Sequence, residues 1–397
     1  MSDSSTWARR RGAWIALAIL ALGPSAPAVP SFGGPKVDTR TPATAFAEFA
    51  ASRSAGRSDA AAEALASLAS FPHTLVRAIL EAAAAPDRGA DEALAALAVL
   101  EHLGGARDLA LAPLLWRAGA EPELERAVLA IARRDAGSLS VLEGLARAVP
   151  AEVRLTFVRA VEGLGSLAAV SWMARCAERM PDVRPETLAR IGRLAQALPH
   201  PAPEDALEFV RGVIAGFGSD ALRDAVIAAG RMEDGESIPH LIALLAEEDV
   251  GLRADAAWSL ERISGLQLRD RADRWAAWFE VELEWWRERS DSAFYELESA
   301  DRAERTCALL EIGGRRMSRD RLSLRVAPLL QDPDPTVAQL AAQTLRSLRS
   351  KVACAPLVLA LERPELEVGL ESWRALRAIT GKDLPRDVEV WRAMCAR

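Results

Sequence analysis

Residues 259–278, SLERISGLQLRDRADRWAAW, return without a gap as residues 375–394, ALRAITGKDLPRDVEVWRAM. Leu260, Ile263, Gly265, Leu268 and Trp275 fall on Leu376, Ile379, Gly381, Leu384 and Trp391 at one constant offset. A chain that repeats itself over such a stretch builds the same supersecondary unit more than once. Units of this kind bury their apolar faces by stacking on one another. Composition says what the unit is made of: the chain is 50% hydrophobic, by a count that Ala dominates, and only 5% aromatic. Ala and Leu lose little side-chain entropy in a helix, whereas a pleated sheet is favoured by β-branched and aromatic residues. The predicted fold class is all-α.

From residue 43 onward the apolar residues recur at helical spacing. Val153, Phe157, Val161 and Leu164 share one stripe, and Ile238, Leu241, Ile242 and Leu245 share another. Gly104, Gly105, Gly119, Pro150, Gly165, Pro181, Pro199, Gly218, Gly235 and Gly265 interrupt these stretches at the intervals of short helices. A short helix with one apolar face cannot bury it alone. The architecture this predicts is an α-solenoid of stacked helix pairs, degenerate in its N-terminal half. The segment PHPAP, residues 199–203, marks the expected break between a degenerate region, 43–198, and clearer repeats with Trp-rich helices, 203–397.

Residues 235–265 resemble a HEAT repeat, with Pro239 in a first helix, Glu247 after it, and Leu252 and Arg253 opening a second helix. The pattern recurs at 326–348 and 354–381, where Leu252, Leu260 and Ile263 become Val337, Leu345 and Leu348, then Val368, Leu376 and Ile379. The chain is thus similar to HEAT-repeat proteins of the exported bacterial type. The resemblance covers roughly 230–290 and 320–397, and is only architectural over 43–229. It implies an acid–Arg ladder in which Arg253 pairs with Glu247. Ala338 and Gly369 stand at the next two Arg positions, so apolar packing is expected to replace the ladder there.

The N-terminus carries a targeting pattern. Arg9, Arg10 and Arg11 precede the apolar run 13–22, and Ala26-Pro27-Ala28 offers a small-residue cleavage site. The run is shorter than the ~20 residues a spanning helix needs. The expectation is a signal peptide over 1–28, a mature chain starting at Val29, a Pro/Gly linker over 29–42, and export to the periplasm or beyond. An uncleaved segment anchoring the chain in the inner membrane is the alternative. Cys176, Cys307, Cys354 and Cys395 then meet an oxidising compartment, yet no C-x-x-C occurs and a long chain has a core without bridges. Free, buried thiols are expected, with Cys354–Cys395 the pair to consider if one forms.

Most of the 11 Trp lie between 258 and 391. On the segment 271–289, Trp275, Trp278, Phe279, Leu283 and Trp286 share a broad helical face, which predicts docking on the preceding repeat; stacking on a carbohydrate is the other use of such rings. Glu282, near the middle of that face, is expected to pair with an Arg or to mark a helix break.

Chemistry is hard to find. His73, His102, His200 and His240 stand apart, no H-E-x-x-H occurs, and the Cys residues have no zinc-ligand spacing. No G-x-S-x-G is present, and the GLG and GFG stretches at 163–165 and 216–218 fit helix ends, not phosphate loops. No catalytic residue, metal or cofactor is nominated. The net charge of −7 argues against a nucleic-acid partner.

The function this leaves is a non-catalytic exported scaffold that binds a protein or extended peptide on its concave face. The alternative from a different class is a HEAT-type lyase or chromophore-attachment accessory enzyme. In a HEAT repeat the second helices line the concave face. Rotating each about its buried stripe at 100° per residue sets Trp258 and Glu261, then Gln339, Gln343 and Arg346, then Leu370, Arg374 and Arg377 on the outward side. Arg forks onto carboxylates, Gln meets a peptide backbone and an exposed Trp anchors interfaces. An acidic segment of a partner fits this strip; the other reading is a solvated face whose Arg residues balance neighbouring acids.

Overall fold

The computed structural model describes residues 40–117, 119–198, 201–216 and 220–395. The expected signal peptide and nearly all of the linker lie outside these residues. The described part is helical throughout. It opens with α1 (Pro42–Ser54) against α2 (Ser58–Ala69). Helix pairs follow: α3 (His73–Ala83) and α4 (Ala90–Leu103), α5 (Ala112–Leu115) and α6 (Glu121–Arg134), α7 (Ser138–Ala146) and α8 (Ala151–Glu162). Next come α9 (Leu167–Arg179) and α10 (Arg184–Ala197), α11 (Glu204–Ala215) and α12 (Leu222–Met232), and α13 (Ile238–Leu244) and α14 (Val250–Ser264). A single longer helix, α15 (Ala272–Glu288), interrupts the pairing. It resumes with α16 (Ser290–Leu297) and α17 (Arg302–Gly313), α18 (Arg319–Val326) and α19 (Pro335–Leu348), and α20 (Cys354–Ala360) and α21 (Leu366–Thr380); α22 (Val388–Cys395) closes the chain.

Second helices pack on second helices. α4, α6, α8, α10, α12 and α14 touch in that order, and after α15 a second run, α17, α19 and α21, does the same. Each burial stripe of one helix is thereby covered by the next, which makes the described part a HEAT-like α-solenoid. Among the described residues no helix is long and apolar enough to cross a membrane.

The apolar core of the described residues falls into two clusters. One apolar cluster runs from Ala45 to Trp275, with Leu198 packed against it and Ala202 in it, and a second runs from Trp285 to Trp391. The division falls inside α15, because its two ends serve different clusters: Trp275, Trp278 and Phe279 pack on the first, and Trp285 and Trp286 on the second. The predicted docking on the preceding repeat holds for Trp275, Trp278 and Phe279, whereas Trp286 packs on the second cluster. Leu283 is exposed, and the buried stripe is Trp275, Glu282 and Trp285. Glu282 holds the centre because its carboxylate accepts the backbone N–H groups of Arg316 and Met317, at 3.2–3.3 Å. It caps the turn before α18, and so ties α15 to the second cluster.

The acid–Arg ladder also differs from expectation. Arg253 gives its guanidinium to the backbone carbonyls of Glu247 and Glu248, at 2.8 and 3.0 Å, and not to the Glu247 carboxylate. Arg305 occupies the corresponding fourth position of α17, bonding the carbonyls of Ser299 and Ala300 while its Nε lies 3.0 Å from Asp332. Arg154 does the same in α8, pairing with Asp182. Where Ala338 and Gly369 replace the Arg, Arg363 reaches back from the following turn to the carbonyls of Leu330 and Asp332, both at 3.0 Å. Polar ties therefore persist in the later repeats beside the apolar packing.

Candidate functional site

The second helices α12, α14, α19 and α21 all end in a left-handed residue: Glu233, Gly265, Arg349 and Gly381. Glycine adopts this conformation freely, whereas a side chain there costs about 1–2 kcal/mol. The ends of three of these helices, α12, α14 and α19, meet at Arg319, which is 8% exposed. Its guanidinium pairs with Glu233 at 2.6 Å and donates to the carbonyls of Arg262 and Leu348, at 3.1 and 3.4 Å. Carbonyls left unpaired at helix C-termini favour cations, which explains this one residue.

It does not explain its neighbours. A recess of about 400 Å³ is lined by Trp258, Glu261, Arg262, Gln267, Arg319, Arg349 and Lys351, with Glu233, Ala378 and Ile379 in its walls. An adjoining recess of about 390 Å³ shares Gly265, Arg319, Arg349 and Ala378 with it and adds Arg316 and Arg346. Six cations thus face two carboxylates, Glu233 and Glu261, in a chain whose net charge is −7. Burial and the charges of Arg319, Arg349 and Arg315 push the Arg316 guanidinium below its ordinary pKa. Lys351 is likewise held below the usual ammonium value by burial, with Arg262 adding to the effect; its Nζ donates to the carbonyl of Gln196 at 2.5 Å. The Nε of Arg262 is buried and has no partner among the described residues.

Of the residues singled out from sequence, Trp258, Glu261 and Arg346 are brought together here, and Trp258 is 42% exposed at the rim. Glu261 accepts the backbone N–H of Arg269 at 3.1 Å. The other five lie apart from the recess. Gln339, Gln343 and Leu370 are half-buried on α19 and α21. Arg374 pairs with the buried Glu371, which Arg346 also meets at 3.1 Å. Arg377 pairs with Asp383 at 2.8 Å and lies over the Trp373 ring. Arg262, Gln267, Arg316, Arg319, Arg349 and Lys351 escaped sequence reasoning, because a helical wheel ranks mid-helix faces and these cluster at helix ends.

Among the described residues no group of three His, Cys, Asp or Glu is placed to hold a metal ion. No family model and no curated protein matches the chain. Among solved structures it is similar to an engineered protein, with 19% identity over 84% of this chain and 98% of that one and a TM-score of 0.32. It is also similar to human deoxyhypusine hydroxylase in complex with glycerol, with 16% identity over 66% of this chain and 98% of that one and a TM-score of 0.25. Likenesses this loose bear no argument, and the fold rests on the packing described above.

Proposed function

We propose that the protein is a non-catalytic binding scaffold which holds an acidic segment of a partner protein at the helix ends of its C-terminal repeats. The observation that carries this reading is the recess itself, where six cations and an exposed Trp gather in an acidic chain. Guanidinium groups fork onto carboxylates, and a half-exposed indole supplies an apolar anchor beside them. The strip expected from sequence shrinks accordingly, since Arg374 and Arg377 already have acids of their own. Export, with the mature chain starting at Val29, belongs to the same proposal; N-terminal sequencing of the native protein tests it, and an intact Met1 contradicts it.

Fluorescence anisotropy with a labelled Glu-rich peptide tests the binding reading. Binding is expected at low salt and should fall steeply as salt rises. A double variant, R262E with R349E, should bind poorly while keeping the wild-type circular dichroism spectrum. Peptide binding that ignores both salt and these substitutions would remove the recess from the function.

A further inference from the structure

Among the described residues, four non-glycine residues have positive φ: Glu233, Arg269, Ser318 and Arg349. All four gather at one place. Glu233 and Arg349 line the recess, Ser318 immediately precedes Arg319, and the amide of Arg269 is held by Glu261. Two other second helices, α14 and α21, reach the same left-handed cap with Gly265 and Gly381. Glycine would therefore serve at 349, yet an Arg stands there with φ 53° and forms no ion pair among the described residues. Backbone strain that persists only because its surroundings enforce it collects at functional sites.

The charge of the recess narrows the ligand. Glu233 answers Arg319, and Glu371 answers Arg346. Arg316 is offset by Glu282, and Lys351 by Glu233 and Asp320, whereas Arg262 and Arg349 form no ion pair among the described residues and share the lining with the one remaining carboxylate, Glu261. A Glu or Asp side chain brings one charge and two oxygens. A phosphate monoester brings nearly two charges and three acceptor oxygens, which several guanidinium groups can share. We propose that the recess is a binding site for a phosphate monoester dianion carried on the partner's segment, with Arg262 and Arg349 reaching the phosphate and Trp258 packing on the flanking residues. This rests on the scaffold reading above and names the chemistry of its ligand.

Calorimetric titration of the full chain with three probes tests it: inorganic phosphate, the blocked peptide Gly-Gly-phosphoserine-Gly-Gly, and the same peptide with Glu in place of phosphoserine. The phosphopeptide is expected to bind about tenfold or more tightly than the Glu peptide, a difference that corresponds to about 1.4 kcal/mol. Its affinity should weaken from pH 7.5 to 5.5, because the phosphate takes up its second proton near pH 6. R349G should lose most of that affinity while melting at or above the wild-type temperature, and R349K should keep much of it. Equal, pH-independent binding of the two peptides would overturn the phosphate assignment and leave the acidic-segment reading standing. Inorganic phosphate binding as tightly as the phosphopeptide would keep the oxyanion site and remove the partner segment. No binding of phosphate or phosphopeptide would overturn the site.

Discussion

Trp391 donates its indole N–H to the carbonyl of Pro385 at 2.8 Å, closing the loop that leads into its own helix. The duplicated segment carries the same bond, from Trp275 to Arg269 at 2.7 Å, and both rings are fully buried. The correspondence extends further. Ser264 and Thr380 bond back to Leu260 and Leu376, and the amides of Leu266 and Lys382 return to those hydroxyls. The repetition in sequence is therefore repetition of a hydrogen-bonded corner between a second helix and a Trp-bearing helix.

Removing that ring should be costly. Trp391→Ala is expected to destabilise the second cluster by about 3–5 kcal/mol. Trp391→Phe keeps most of the apolar area and leaves the Pro385 carbonyl without its donor, for about 1–3 kcal/mol. Urea unfolding followed by circular dichroism separates the two. Equal effects of the two substitutions would show that the ring's area, and not its N–H, fixes the corner.

This corner was legible in the sequence because every part of it is local: a helix, a left-handed glycine, a short loop and a ring at fixed spacing. Helix positions, stops and buried stripes were legible for the same reason. Glu282 was visible as an acid on an apolar face that should meet an Arg, and Arg315 does lie 4.0 Å from it; the amides of Arg316 and Met317, far along the chain, were not visible. The recess was illegible because residues 233, 262, 319 and 349 come from four helix ends that only stacking brings together. Nothing in the residue type of Arg349 announces a left-handed backbone. Arg305 does not stand out in the sequence, because its acid, Asp332, lies in the following repeat.

Arg305 and Asp332 should matter more than surface pairs do. Their side chains are 13% and 8% exposed; Nε lies beside the carboxylate without an aligned acceptor, and Nη2 donates to Asp332 at 3.5 Å. Breaking a buried pair leaves the other charge uncompensated. Arg305→Ala is expected to cost about 3–5 kcal/mol, and Arg305→Lys to rescue little of it, because an ammonium cannot reach the Ser299 and Ala300 carbonyls together. Thermal melts of the three chains check this; full rescue by Lys would mean that charge alone is needed.

Glu282 predicts a different signature. Its removal in Glu282→Ala deprives two amides of their acceptor, for about 2–3 kcal/mol. The tie joins α15 to the turn before α18, so the two core clusters should also lose cooperativity. Calorimetry is expected to show one transition in the wild type splitting into two in the variant. A single, merely lowered transition would place the coupling elsewhere.

The helices α20 and α22, which carry Cys354 and Cys395, pack on each other, and the two thiols influence each other's ionisation. The neighbouring Cys395 and burial raise the Cys354 thiol, and the neighbouring Cys354 lowers that of Cys395. Burial pushes Cys176 up to about 12. Diamide, accepting two electrons and two protons, should convert the pair to one intramolecular disulfide, so that alkylation under denaturing conditions marks two fewer cysteines by mass. Cys395→Ser should abolish the loss. An unchanged alkylation count in the wild type would refute the pairing.

Glu143, on α7, gathers Arg175 at 3.1 Å, Arg147 at 3.4 Å and Arg179. Burial alone would raise its carboxyl, but the hydrogen bond from Arg175 and the charges of Arg175 and Arg179 overcome it, so the pKa lies below the ordinary 4.5. The folded state thus binds this proton less readily than the unfolded chain. Its contribution to stability is complete above pH 4.5 and is lost as pH falls through the lower folded value. Glu143→Gln should be less stable than the wild type at pH 7, and the gap between them should close below pH 4.5. Urea midpoints measured at intervals from pH 7 to pH 3 follow the gap directly. A gap that stays constant across that range would mean that the three Arg residues respond to the shape of the side chain and not to its charge.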